Sequence, residues 1–104
     1  MGRRNIAKGS METSSSSIAA RFGKNLARCR RQSKLSQEEL AIRAGVHRTE
    51  ISQLERGLRV ARLDTFVKLK DSLGTNAGGL LDGISWTPGA PPPPGRFQSE
   101  SPDS

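Results

Sequence analysis

The chain has 104 residues, 33% of them hydrophobic, a single cysteine and a formal net charge of +7. That leaves room for one small domain with loose ends, excludes an internal disulfide, and offers no apolar run approaching the 18 or more residues of a membrane span. The whole net charge belongs to residues 18–73, which hold 13 Lys/Arg against 6 Asp/Glu, because the flanks cancel. A basic segment of this kind suits a polyanion partner, since phosphate neutralisation releases counterions, although a basic composition also serves solubility alone.

Residues 1–17, "MGRRNIAKGSMETSSSS", have no hydrophobic period and end in a serine run, so a disordered N-terminal segment is expected. A first helix is predicted over about 18–32, where Ile18, Phe22, Leu26 and Cys29 recur at spacings of four, four and three. Cys29 reads as a small buried apolar residue on that stripe. Arg21, Lys24, Arg28 and Arg31 form a separate basic stripe. A second helix starts at Ser36, with Glu39 three residues on, the pattern of a capping box. Leu40, Ala41 and Ala44 face inward, and Gly45 can take the left-handed conformation that ends the helix. A third helix over about 47–56 stops at Gly57 in the same way.

After the loop "LRVAR", a fourth helix is predicted over 63–73, with Leu63, Phe66, Leu69 and Leu73 inside and Gly74 beyond it. Leu80, Leu81 and Ile84 suggest a weak fifth helix, opposed by Gly78 and Gly79. From Trp86 the chain is proline-rich and expected to be an extended, unpacked tail. No repeats and no convincing strands appear. The fold class is all-α: a compact four- to five-helix domain over 18–85 between disordered termini, 1–17 and 86–104.

On a helical wheel at 100° per residue, Ile51 and Leu54 of the third helix point to the core. Thr49, Ser52, Gln53 and Arg56 stand opposite, with Arg48 beside them at the helix start. Polar faces are usually only solvated surface. This one follows a tight corner, in which Gly45 permits the turn and Val46 anchors it from below. Two short helices set at such an angle let the first cross a DNA backbone while the second enters the major groove. There Arg48 suits guanine, Gln53 adenine and Thr49 a thymine methyl or a polar contact.

The stretch "SQEELAIRAGVHRTEISQLERG", residues 36–57, resembles the helix-turn-helix signature of the Xre/Cro/C1 family, the phage-repressor-like DNA-binding domains. The residues that carry the likeness are Leu35-Ser36-Gln37, Leu40-Ala41, Ala44-Gly45-Val46, Ile51-Ser52 and Leu54-Glu55-Arg56-Gly57, within a similarity that covers about residues 22–82. The resemblance implies base reading by Arg48, Thr49, Ser52 and Gln53. It implies contacts to the DNA backbone from Ser36, Gln37, Arg56 and Arg59, and a structural ion pair between Arg30 and Glu55. The chain departs from the family at Arg62, where a small N-capping residue is usual, and at Ala61, Lys70 and Ser72. His47 caps the third helix less well than serine or threonine. Glu50 complements the helix dipole and is left out of the reading set.

The function expected from this is sequence-specific binding of double-stranded DNA by a transcriptional regulator, acting as a repressor, in the cytoplasm with the nucleoid. One such domain reads few base pairs, so a homodimer on a two-fold operator is expected. Leu80, Leu81, Ile84 and Trp86 are the candidates for its interface, or else they close the bottom of the same subunit's core. The alternative is an antitoxin or adaptor that uses the fold for protein–protein interaction. RNA binding lacks the exposed aromatic platforms such readers use. No nucleophile–base pair, metal-ligand cluster or phosphate loop is present, so neither an enzyme nor a cofactor is expected.

Overall fold

The apolar stripe Phe22, Leu26 and Cys29 is buried along the inner side of helix α1 (Asn5–Gln32), and the rest of the chain is arranged around it. The computed structural model describes residues 5–75, 77–89 and 95–99, with side chains from Ser17 onward. After α1 come α2 (Gln37–Ala44), α3 (Arg48–Glu55), α4 (Leu63–Leu73) and the short α5 (Ala77–Leu80). Two strands follow, β1 (Ile84–Thr87) and β2 (Arg96–Ser99). None of these helices is long and apolar enough to cross a membrane, among the described residues.

The core joins α1 to every other helix: Phe22, Leu26 and Cys29 meet Leu40, Ala41 and Ala44 of α2, Ile51 and Leu54 of α3, Leu69 and Leu73 of α4, and Leu80 of α5. Six of its large side chains (Leu26, Leu40, Ile51, Leu54, Leu69 and Leu80) are fully enclosed. Burying each contributes about 1.5–3 kcal/mol, the main force holding such short helices in place. Leu63, expected inside, is 78% exposed. On the α4 wheel it lies well round from Leu69, and Thr65 takes the buried flank instead.

Two polar residues, Thr65 and Asn25, are buried beside these hydrophobics. Asn25, with no exposed surface, donates from Nδ2 to the carbonyls of Leu80 at 2.8 Å and Asp82 at 2.9 Å. Its Oδ1 accepts from Arg28 Nη1 at 3.1 Å, and Arg28 also donates to Gly79 O at 3.2 Å and pairs with Asp82 at 3.7 Å. These bonds satisfy the free carbonyls at the end of α5 and tie a helix too short to stand alone onto α1. They also take Arg28 out of the basic stripe read from the sequence.

Three features amend the sequence reading. The helix that the apolar period places at 18–32 reaches back to Asn5. Residues 5–17 contain no proline, and extending a packed helix avoids the cost of starting one. The all-α reading gains a two-stranded antiparallel sheet, with Ile84 opposite Ser99, Ser85 opposite Gln98, Trp86 opposite Phe97 and Thr87 opposite Arg96. The Trp86 and Phe97 rings meet edge to face at 4.8 Å, a cross-strand pair that holds the register. The helical domain thus runs into the segment expected as tail, and Ser99 Oγ donates to Ser17 O at 3.2 Å. Residues 1–4, 90–94 and 100–104 of the two expected tails lie outside the described residues. Finally, Leu80 closes this subunit's own core, whereas Leu81 and Trp86 are exposed. Leu81 and Ile84 line an open apolar groove of about 320 Å³ with Ile18, Phe22, Val60, Leu63 and Phe66.

Candidate nucleic-acid interface

The corner is built by local rules. Ser36 caps α2: its Oγ accepts from Glu39 N at 3.0 Å, while its own N–H donates to Glu39 Oε1 at 2.7 Å. This reciprocal capping box holds the Glu39 carboxyl below its ordinary pKa, chiefly through the Ser36 backbone hydrogen bond. At the other end Gly45 adopts φ +70°. Val46 N then donates to Ala41 O at 3.0 Å and Gly45 N to Ile42 O at 3.3 Å, the paired bonds of a Schellman motif. Val46 packs beneath the turn against the core. The direction of α3 relative to α2 is therefore fixed by a glycine, two backbone bonds and one hydrophobic anchor.

Helix α3 sits close against α1. A Cβ at Gly23 would come within 2.4 Å of Leu54 O and 2.6 Å of Glu55 O, so only glycine allows this approach. Ile51 and Leu54 are wholly buried, which leaves the opposite side of α3 facing out. Arg48, Thr49 and Arg56 are exposed there, and Ser52 and Gln53 are half-buried. Among the described residues, none of these five side chains makes a hydrogen bond or ion pair. His47 caps α3 without a side-chain bond, as its residue type predicts. Arg62 likewise gives α4 no side-chain cap, and Asp64 Oδ1 accepts from Thr65 N at 2.8 Å instead.

The other residues singled out from the sequence are held. Arg30 Nε donates to Glu55 Oε2 at 2.6 Å and its Nη2 to Glu55 Oε1 at 3.1 Å, a bidentate pair that raises the guanidinium pKa still further. Gln37 Nε2 donates to Glu55 Oε1 at 3.0 Å. Arg59 pairs with Glu50 at 3.0 Å, and Glu50 also accepts from Thr65 Oγ1 at 3.4 Å. Glu50 thus turns toward the loop and α4, away from the free row on α3. The chain therefore separates two groups: side chains bonded to one another at the ends of α2 and α3, and an unbonded polar row between two arginines. Such a row on a helix of groove-filling width can meet base edges and phosphates. Gly23 and Asn25, which place α3 and α5 on α1, escape the sequence reading. Their signal is a glycine and an asparagine inside a helix, where both are poor formers.

The Helix-turn-helix family profile matches residues 26–80. Control protein C.BamHI of Bacillus amyloliquefaciens is 42% identical over 62 residues, 59% of this chain and 76% of that protein. The crystal structure of the restriction-modification controller protein C.AhdI from Aeromonas hydrophila superposes with a TM-score of 0.58 at 34% identity, over 60% of this chain and 94% of the other. The crystal structure of SinR, the master regulator for biofilm formation, in complex with DNA, superposes with a TM-score of 0.56 at 29% identity, over 59% and 98% of the two chains.

Proposed function

From the chain's membership of the helix-turn-helix family (HTH_3), a family of DNA-binding transcriptional regulators and not of enzymes, we propose that α3 enters the major groove of a specific duplex. Arg48, Thr49, Ser52 and Gln53 read base edges. Ser36 and Gln37 at the start of α2, and Arg56 and Arg59 beyond α3, hold the phosphates. The relatives favour this over the antitoxin or adaptor alternative. The observation that carries the assignment is the unbonded polar row on α3, set opposite the fully buried Ile51 and Leu54.

Regulation by such a small reader requires two copies. Non-specific binding of one domain is weak at physiological salt, roughly 10⁻⁴–10⁻⁶ M, and two half-sites about one helical turn apart overcome this. The protein acts as a homodimeric repressor on a two-fold operator, in the cytoplasm where the DNA is. The apolar groove with Leu81 and Ile84, and exposed Trp86 nearby in sequence, supports the second copy. Selection of bound duplexes from a random pool tests the whole reading. Enrichment of a two-fold-symmetric sequence is expected, and a pool that stays random overturns it.

A further inference from the structure

Glu55 ends α3 with its side chain only 7% exposed, and Arg30 reaches it from α1 at 12% exposure. As a lock between α1 and α3 the bidentate pair is already complete, with Arg30 Nε on Oε2 and Nη2 on Oε1. Yet Oε1 takes a third donor, Nε2 of Gln37 at 3.0 Å, from the first residue of α2. Arg30 Nη1 meanwhile donates to Leu35 O at 2.8 Å and holds the turn just before that helix. One buried ion pair therefore fastens the turn, the start of α2 and the end of α3 together.

We infer that Glu55, backed by Arg30, is a positioning residue for DNA recognition that acts through Gln37. The inference rests on the proposal that the start of α2 faces the duplex. With one amide N–H on Glu55, the Gln37 carboxamide keeps one N–H and its carbonyl to offer outward, in a fixed orientation. A free glutamine samples many rotamers and loses that freedom on binding, a loss that Gln37 has already met on folding. The arrangement also explains a carboxylate at a surface meant for phosphates. Arg30 cancels its charge, so Glu55 can aim a donor without repelling the DNA.

The test replaces the pair by apolar residues of similar size, Arg30→Met with Glu55→Leu in the full chain. This keeps the net charge at +7 and substitutes a hydrophobic contact for the lock. Affinity for the selected duplex is measured by fluorescence anisotropy, at a temperature where circular dichroism shows every variant folded. The pair variant and Gln37→Ala are each expected to bind about tenfold more weakly, and the triple variant no more weakly than either, because they remove one shared contact. In the parent protein one Gln37 side-chain amide proton is expected to exchange slowly by NMR, and that protection to vanish in the pair variant. If the pair variant binds like the parent, or if the losses multiply to about a hundredfold in the triple variant, Glu55 is a structural lock only and the inference fails. Unchanged binding by Gln37→Ala beside weakened binding by Arg48→Ala sinks the inference and leaves the reading helix standing. Unchanged binding by both overturns the DNA-facing assignment itself.

Discussion

Arg48 and Arg56 flank the same row, yet their chemistry separates them. Arg48 stands at the first turn of α3, exposed and with no side-chain partner among the described residues, and the proposed function gives it a bidentate contact to guanine O6 and N7. Arg48→Ala is expected to weaken specific binding by about 1–3 kcal/mol and to relax preference at one operator position. Arg56 lies at the C-cap, and its loss should weaken all duplexes alike and lower the salt slope by about one. Selection on both variants, with titrations at several salt concentrations, checks the pair, and equal losses on specific and random DNA would contradict it. Arg59 is a poorer probe because its removal also frees Glu50, its partner at 3.0 Å. At the packing end, Gly23→Ala should lower stability by about 1–3 kcal/mol, since the added methyl meets the Leu54 and Glu55 carbonyls and the whole of α3 must shift. Thermal melts read that loss, and an unchanged Tm would mean that α1 and α3 yield more easily than packed helices do.

The ends of α2, α3 and α4 were the most legible features of the sequence, whereas the start of α1 at Asn5 was not. Gly45, Gly57 and Gly74 all adopt positive φ, and each closes its helix with the same pair of backbone bonds. Ser36 with Glu39 opens α2, so α2, α3 and α4 begin and end within a residue of their expected bounds. The hairpin was hidden because its strands are four residues each and pair across the proline-rich stretch 88–95. Trp86 and Phe97 on either side of that stretch were its one signal. The unbonded polar row on α3 was legible because it alternates with buried Ile51 and Leu54 at helical spacing, while the Gln37–Glu55 bond depends on a tertiary approach that spacing does not encode. α1 closes as the others do, but with Lys34 at φ +61° where they have glycine: Lys34 N donates to Arg31 O at 2.9 Å and Leu35 N to Arg30 O at 3.2 Å. Lys34→Gly is therefore expected to raise stability by about 0.5–1 kcal/mol in denaturant titrations, and a loss would show that the lysine side chain repays its strain. The capping box predicts a pH dependence. The Glu39 carboxyl titrates below its ordinary value in the folded chain, so its ionised form stabilises α2 above the unfolded value of about 4.3, and that contribution is lost as pH falls through the folded one. Melts of the parent and Glu39→Gln should differ at neutral pH and converge in acid.

For the whole molecule, the apolar surface left over after folding argues for a second copy. Leu63 is 78% exposed, Val60 51%, Trp86 51% and Leu81 42%. Val60, Leu63 and Leu81 border one groove, whose floor includes Phe22 and Phe66, with ring centroids 6.0 Å apart. The core does not need these side chains, since Leu80 has already closed it. Exposed apolar surface gathered in one place costs solubility and persists where something covers it. A second copy suits the function, because two-fold symmetry in the protein matches two half-sites on the duplex. Replacing Leu63 and Leu81 by glutamate places like charges on both sides of that contact and leaves the enclosed core untouched. In analytical ultracentrifugation the parent chain is expected to sediment as a dimer and the double variant as a monomer with an unchanged helical spectrum. Binding to a single half-site should then survive, while the tight, cooperative occupation of the full operator is lost. A parent chain that stays monomeric on the full operator, or a double variant that still dimerises, would show that the groove is not where two copies meet.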